Sequence, residues 1–185
     1  ERAITLVRDQ KRLFPAPSLD GSCLVVLEEG SFSTRGEILA RELSRRMPAL
    51  QIFVTNPAMP AELLAAIANQ TTHCKQIYAA AFVTVAASRG SVDLEGGLDN
   101  FLKTLVRNPV PIALIAFGNP YLLRAVPDVG SYAATFSTAV TSETAVAKAI
   151  LGEIPSGGNS PVDIPGLAKI GDVLSVPAKP QAASD

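Results

Sequence analysis

Apolar positions along the chain alternate between two periods. Residues 23–27 (CLVVL) form a continuous apolar run, the pattern of a strand buried on both faces. Thr34 then stands three residues before Glu37, a capping-box spacing, and Leu39, Leu43 and Met47 recur at i, i+4. That stripe predicts a helix, which Pro48 stops. Residues 51–54 (QIFV) predict a second strand, Asn56-Pro57 a turn, and Pro60 the first position of a helix with Leu63, Leu64 and Ile67 toward the core. Residues 77–86 (IYAAAFVTVA) predict a longer strand, followed by a loop marked by Arg89-Gly90 and Gly96-Gly97.

Leu98, Phe101, Leu102, Leu105 and Val106 give the clearest helical stripe, ended by Pro109 and Pro111. Beyond it, residues 112–117 predict a strand, 121–126 a short segment and 132–136 another strand. Residues 142–151 predict a helix with Val146, Ala149 and Ile150 on one face. The opening residues 2–9 are expected to add a further helix.

Strands and helices alternating in this way signal right-handed βαβ units. The expected fold is α/β: a three-layer α/β/α sandwich with a mostly parallel sheet of five or six strands. Gly152, Pro155, Gly157, Gly158, Pro161, Pro165 and Gly166 crowd the stretch after the last helix. Residues 1–176 are therefore expected to form one domain, with 152–176 as its irregular closing segment. Residues 177–185 (PAKPQAASD) are expected to be a disordered tail or linker.

Composition narrows the function classes. Hydrophobic residues make up 48% of the 185 positions and charged residues 18%, enough apolar material for a filled core. Sixteen Lys and Arg against 17 Asp and Glu leave a net charge of -1, so no basic field exists to hold a nucleic-acid backbone. No stretch approaches the ~20 apolar residues of a membrane span. The chain opens on Glu1 without a leader pattern and is expected to be a piece of something longer.

Chemistry is sparse. Cys23 and Cys74 lack C-x-x-C spacing; a disulfide is possible, but two buried thiols are the expectation. One histidine, His73, and two cysteines cannot complete a four-ligand zinc site without carboxylates, so no metal is expected. A Walker loop, a G-x-G-x-x-G turn and a G-x-S-x-G elbow are all missing, and no cofactor is expected. Ligands of open α/β sheets gather at the carboxyl ends of parallel strands. Here those ends are Glu28-Glu29-Gly30, Thr55-Asn56, Ser88-Arg89-Gly90 and Gly118-Asn119-Pro120. Glu28 and Glu29 read as solvated loop charges, and Asp93 or Glu95 as helping to start the helix that carries Leu98. The Gly118-Asn119-Pro120 run reads as a tight strand-to-helix corner.

From these residues a resemblance emerges. Residues 116–137 (AFGNPYLLRAVPDVGSYAATFS) resemble the strand, NPY and P-x-V-x-x-Y stretch of bacterial family 3 glycoside hydrolases. Residues 151–166 (LGEIPSGGNSPVDIPG) are similar to that family's closing motif, and residues 2–15 (RAITLVRDQKRLFP) to its entry into the same domain. The likeness is to the second, α/β-sandwich domain, in the β-N-acetylhexosaminidase-like branch. It implies that the nucleophilic aspartate and the proton-transfer residues reside in a preceding (β/α)₈ barrel, for which 185 residues leave no room. In the β-glucosidase-like branch, the sandwich lends a glutamate just after a central strand. Here Ala87-Ser88-Arg89-Gly90 holds no carboxylate, leaving Asp93 or Glu95 as remote candidates.

The resemblance therefore implies a domain with no catalytic residue of its own, partnered by the barrel of the same polypeptide and contributing to a carbohydrate cleft. Arg89, Asn119 and Tyr121, at strand carboxyl ends, are the cleft or interface candidates. The alternative is a free-standing flavodoxin-like module that binds a ligand or partner. The acidic start of its first loop, Glu28-Glu29, would repel a phosphate.

Overall fold

A computed structural model of the protein describes residues 4–83 and 94–180. Six strands form one sheet: β1 (Thr5–Asp9), β2 (Ser22–Leu27), β3 (Gln51–Thr55), β4 (Gln76–Val83), β5 (Ile112–Gly118) and β6 (Ser131–Thr135). Their order is β1-β6-β5-β4-β2-β3, parallel throughout except for β1, which runs antiparallel to β6. Among the described residues four helices complete the layers: α1 (Glu37–Ser44), α2 (Ala61–Gln70), α3 (Leu98–Arg107) and α4 (Val140–Leu151). The α/β sandwich expected from the sequence is the observed fold.

Period two decides which residues meet which helices. Cys23, Val25 and Leu27 of β2 and Ile77, Ala79 and Ala81 of β4 pack with Leu64 and Ile67 of α2 and Phe101, Leu102 and Leu105 of α3. The alternate residues, Leu24, Val26, Tyr78, Ala80 and Phe82, pack with Leu39 and Leu43 of α1 and Val146 and Ile150 of α4. Alanines at 79, 80, 81, 113, 116, 133 and 134 hold the middle of the sheet, all fully buried. Small side chains there let the helical leucines reach the strands without voids. Phe82 and Phe117 stack above them, ring centroids 4.3 Å apart.

Four expectations about the elements and the cysteines need correction. Residues 5–9 form strand β1, not a helix. The β-branched run Ile4-Thr5 and Val7 suits a strand, and the free edge of β6 offers it a partner. Thr34 and Glu37 do not form a capping box. Gly36 takes the cap position with φ +89°, and a Cβ there would sit 2.6 Å from Val26 Cγ1. Pro60 is the cap residue before α2 rather than its first helical residue, and Leu63 points to solvent, 46% exposed.

The fourth correction concerns the cysteines. Both are buried, but they are bonded to each other. The β2–β4 register places Cys23 opposite Ile77, which brings Cys74 beside the amino end of β2. Their Cα atoms lie 5.9 Å apart, within the range a disulfide spans.

The closing segment wraps the β1 edge. Gly158 N–H donates to Ile4 O at 2.9 Å, and the Thr5 hydroxyl to Asn159 O at 3.2 Å. Ser156 and Val176 bridge each other, while the Lys179 ammonium donates to Ala16 O at 2.7 Å. No helix among the described residues is long and apolar enough to cross a membrane.

Candidate functional site

From β3 onward the strand order is that of a doubly wound sheet, in which the order of adding successive parallel strands reverses between β2 and β4. In such sheets the crevice outside the strand carboxyl ends, at the switch point, is where ligands bind. Glu28 directly follows β2 at that point. Its N–H donates to Thr55 O at 2.9 Å, so the backbone still pairs with β3 there. Only 6% of the residue is exposed, which corrects its reading as a solvated charge. Among the described residues, no hydrogen-bond donor reaches its carboxylate.

Glu28 and Glu29 do not act as a pair. Adjacent residues on extended backbone point apart. Glu29 extends toward Arg35, whose guanidinium donates to Glu29 Oε2 at 3.1 Å on a half-open surface. Burial pushes the Glu28 carboxyl above the usual carboxylate range, and the charge of Glu37 adds to the rise.

The folded chain thus keeps this proton at pH values where the unfolded chain has released it. Stability is lost as pH rises from the ordinary carboxylate value through the raised one. Glu28→Gln is therefore expected to raise the melting temperature at about pH 7.5 and to leave it unchanged at about pH 3.5. Scanning calorimetry of the two proteins across that interval measures the difference.

The corner after β5 is built as the sequence predicts. Gly118 takes φ +93°, which an L side chain resists. Asn119, only 4% exposed, turns its Oδ1 back to accept from Tyr121 N at 3.0 Å and caps a 3-10 turn over Pro120–Arg124. Tyr121 is half-buried against the α2/α3 side of the core. Tyr132 of β6 locks the corner from below, its hydroxyl donating to Pro120 O at 2.8 Å.

Glu95 is exposed and accepts at its backbone oxygen from Leu98 N–H at the start of α3. Arg89 and Asp93 lie outside the described residues. The parallel register therefore brings Glu28, Asn119 and Tyr121 to one edge of the sheet, with Asn119 occupied as a cap.

His73 sits at the opposite, amino edge, in a short turn before β4. A second concavity of about 590 Å³ lies between α2 and α3, floored by Leu64, Ala68 and Phe101 and rimmed by Asn69, Asn100 and Arg107. Among the described residues its lining has no carboxylate, histidine, cysteine or lysine.

Sequence reasoning passed over one further buried carboxylate, Glu143 in the first turn of α4. It is 2% exposed and accepts from Leu39 N–H at 3.0 Å. No local signal could have revealed it, since its partner lies 104 residues earlier. For Glu28 a signal did exist: it directly follows the apolar run of residues 23–27, where burial continues past the last hydrophobic residue.

No family model matches the chain, and no curated protein matches it in sequence. Its fold is that of one segment of solved GH3 glycoside hydrolase chains. It is similar to a fungal multi-domain GH3 β-N-acetylglucosaminidase with a TM-score of 0.73 and 17% identity, covering 94% of this chain and 19% of that one. A family 3 β-N-acetylglucosaminidase from Paenibacillus sp. gives a TM-score of 0.63 and 20% identity, covering 82% of this chain and 28% of that one. A β-glucoside phosphorylase gives 0.64 and 19%, covering 88% and 30%. The chain thus spans less than a third of the length of each.

Proposed function

We propose that this chain is the α/β-sandwich part of a family 3 glycoside hydrolase, silent in catalysis by itself. It packs on a (β/α)₈ barrel of the same polypeptide and shapes one wall of its sugar cleft. The observation that carries this reading is the fold itself, which accounts for nearly the whole of this chain but a minor part of each GH3 chain it matches. Its sheet edge agrees. A retaining glycosidase sets two catalytic groups about one bond, ~5–5.5 Å apart when both are carboxylates. Among the described residues this edge holds no such pair: Glu28 is buried and Glu29 is engaged by Arg35.

In this reading residues 1–176 are the sandwich and 177–185 a tail or linker that starts out along it, with Lys179 bonded to Gly152 and Ala16. The carboxyl edge, with Arg89, Asn119 and Tyr121 and more remotely Asp93 and Glu95, faces the barrel and the sugar. The bond cleaved is that of a β-N-acetylhexosaminide or a β-glucoside. The isolated chain is expected to release no aryl group from aryl β-N-acetylglucosaminides or aryl β-glucosides, while the whole reading frame that contains it does so. Turnover by the isolated chain would overturn the proposal, as would an inactive whole protein on both substrates.

A further inference from the structure

The two edges of the sheet are treated differently. The closing segment bonds to Ile4 and Thr5 at the start of β1, whereas β3 lies at the other edge with no strand or segment among the described residues hydrogen-bonded to it. Proteins usually blunt such an edge with charges or a proline inside the strand. β3 reads QIFVT and has neither, and no charged residue occurs between Arg46 and Glu62. Ile52 and Val54 stand on its α1 face, 39% and 47% exposed, because α1 covers β2 and leaves β3 open.

The direction of the free backbone groups follows from the pairing. In a parallel pair, a residue aims both its N–H and its C=O at the same neighbour, and the next residue aims both away. Thr55 O accepts from Glu28 N–H, so Thr55, Phe53 and Gln51 face β2. The N–H and C=O groups of Ile52 and Val54 therefore point outward from the sheet.

We propose that β3 pairs antiparallel with β3 of a second copy of this chain, about a two-fold axis at Phe53, giving one sheet continuous across the dimer. That register sets Ile52 opposite Val54 of the other copy, and these are the residues whose backbone groups are free. Each such pair exchanges two N–H···O bonds, while Phe53 faces its own copy at a position where no bonds are exchanged. Side chains of opposed residues share a face, so the exposed Ile52 and Val54 cover each other. A two-fold axis brings any charge on a strand near its own duplicate, and an uncharged strand avoids that repulsion.

Five paired residues make a small interface, so the dimer is expected at the weak end of specific association, with Kd about 10–100 µM. Sedimentation equilibrium of the 185-residue chain over that range should show monomer passing to dimer. Val54→Lys and Ile52→Glu should each weaken association at least tenfold. Mixing the two variants should restore it, because the register places the new charges opposite each other. In the unmodified chain, the Ile52 and Val54 amides should exchange more slowly with solvent in concentrated than in dilute samples.

A chain that stays monomeric throughout overturns the proposal. So does association that persists in both variants. Should a variant fail to fold by circular dichroism, amide exchange in the unmodified chain decides: rates independent of concentration reject the pairing.

Discussion

Replacing both Cys23 and Cys74 with alanine is expected to lower the unfolding free energy by about 4 kcal/mol at 25 °C, the loop-closure value for a 51-residue separation. The bond ties the amino end of β2 to the turn entering β4, the two parallel strands between which the order of strand addition reverses. In the unfolded chain the same bond forbids the extended conformations that the variant regains. The loss should therefore appear mainly as a lower denaturant midpoint in the variant, with the native circular dichroism spectrum unchanged. Thiol titration of the unfolded parent should find no free cysteine without reductant and two with it. Because both sulfurs are buried, reductant should act on the native protein slowly and on the unfolded one at once. A variant as stable as the parent would mean that the bond constrains nothing the strand pairing does not already hold.

Glu143→Ala is expected to cost about 2–3 kcal/mol, the magnitude of a buried hydrogen bond to a charged group together with the donor it strands. The physical case rests on two helix starts. Glu143 lies in the first turn of α4, where the helix dipole favours an anion. Its carboxylate reaches across to Leu39 N–H in the first turn of α1, an end whose own cap, Gly36, has no side chain to offer. One carboxylate thus serves two helix N-termini on the same face of the sheet. Glu143→Gln keeps an acceptor for Leu39 and should lose clearly less than the alanine variant. Equal losses for the two substitutions would assign the effect to packing alone. Denaturant unfolding of the three proteins at one pH separates these outcomes.

Most of the fold was legible because it is written in local patterns. The run CLVVL of β2, the stripe Leu98–Phe101–Leu102–Leu105 of α3 and the Asn119-Pro120 corner each state their conformation within a few residues. The errors fell where a distant partner overrides local preference. β1 is a strand because β6 has a free edge. Gly36 replaces a capping box because Val26 leaves no room for a Cβ. Leu63 turns to solvent although it shares a helix with Leu64 and Ile67.

The site divides along the same line. That the carboxyl edge would gather Glu28, Asn119 and Tyr121 follows from alternating strands and helices. What each residue does there does not follow from it. Asn119 is consumed as a cap, Glu29 is held by Arg35, and Glu28 is enclosed.

By itself the sequence determined the layer architecture, the strand ends at Glu28, Thr55 and Gly118 and the poverty of reactive groups, since hydrophobic period and residue inventory are properties of the chain alone. Only the tertiary structure decided the Cys23–Cys74 bond, the burial of Glu28, the reach of Glu143 to α1 and the bare edge of β3. Each of these depends on which segments become neighbours in space, and that is settled by the collective packing of two apolar cores, not by any stretch of residues read in order.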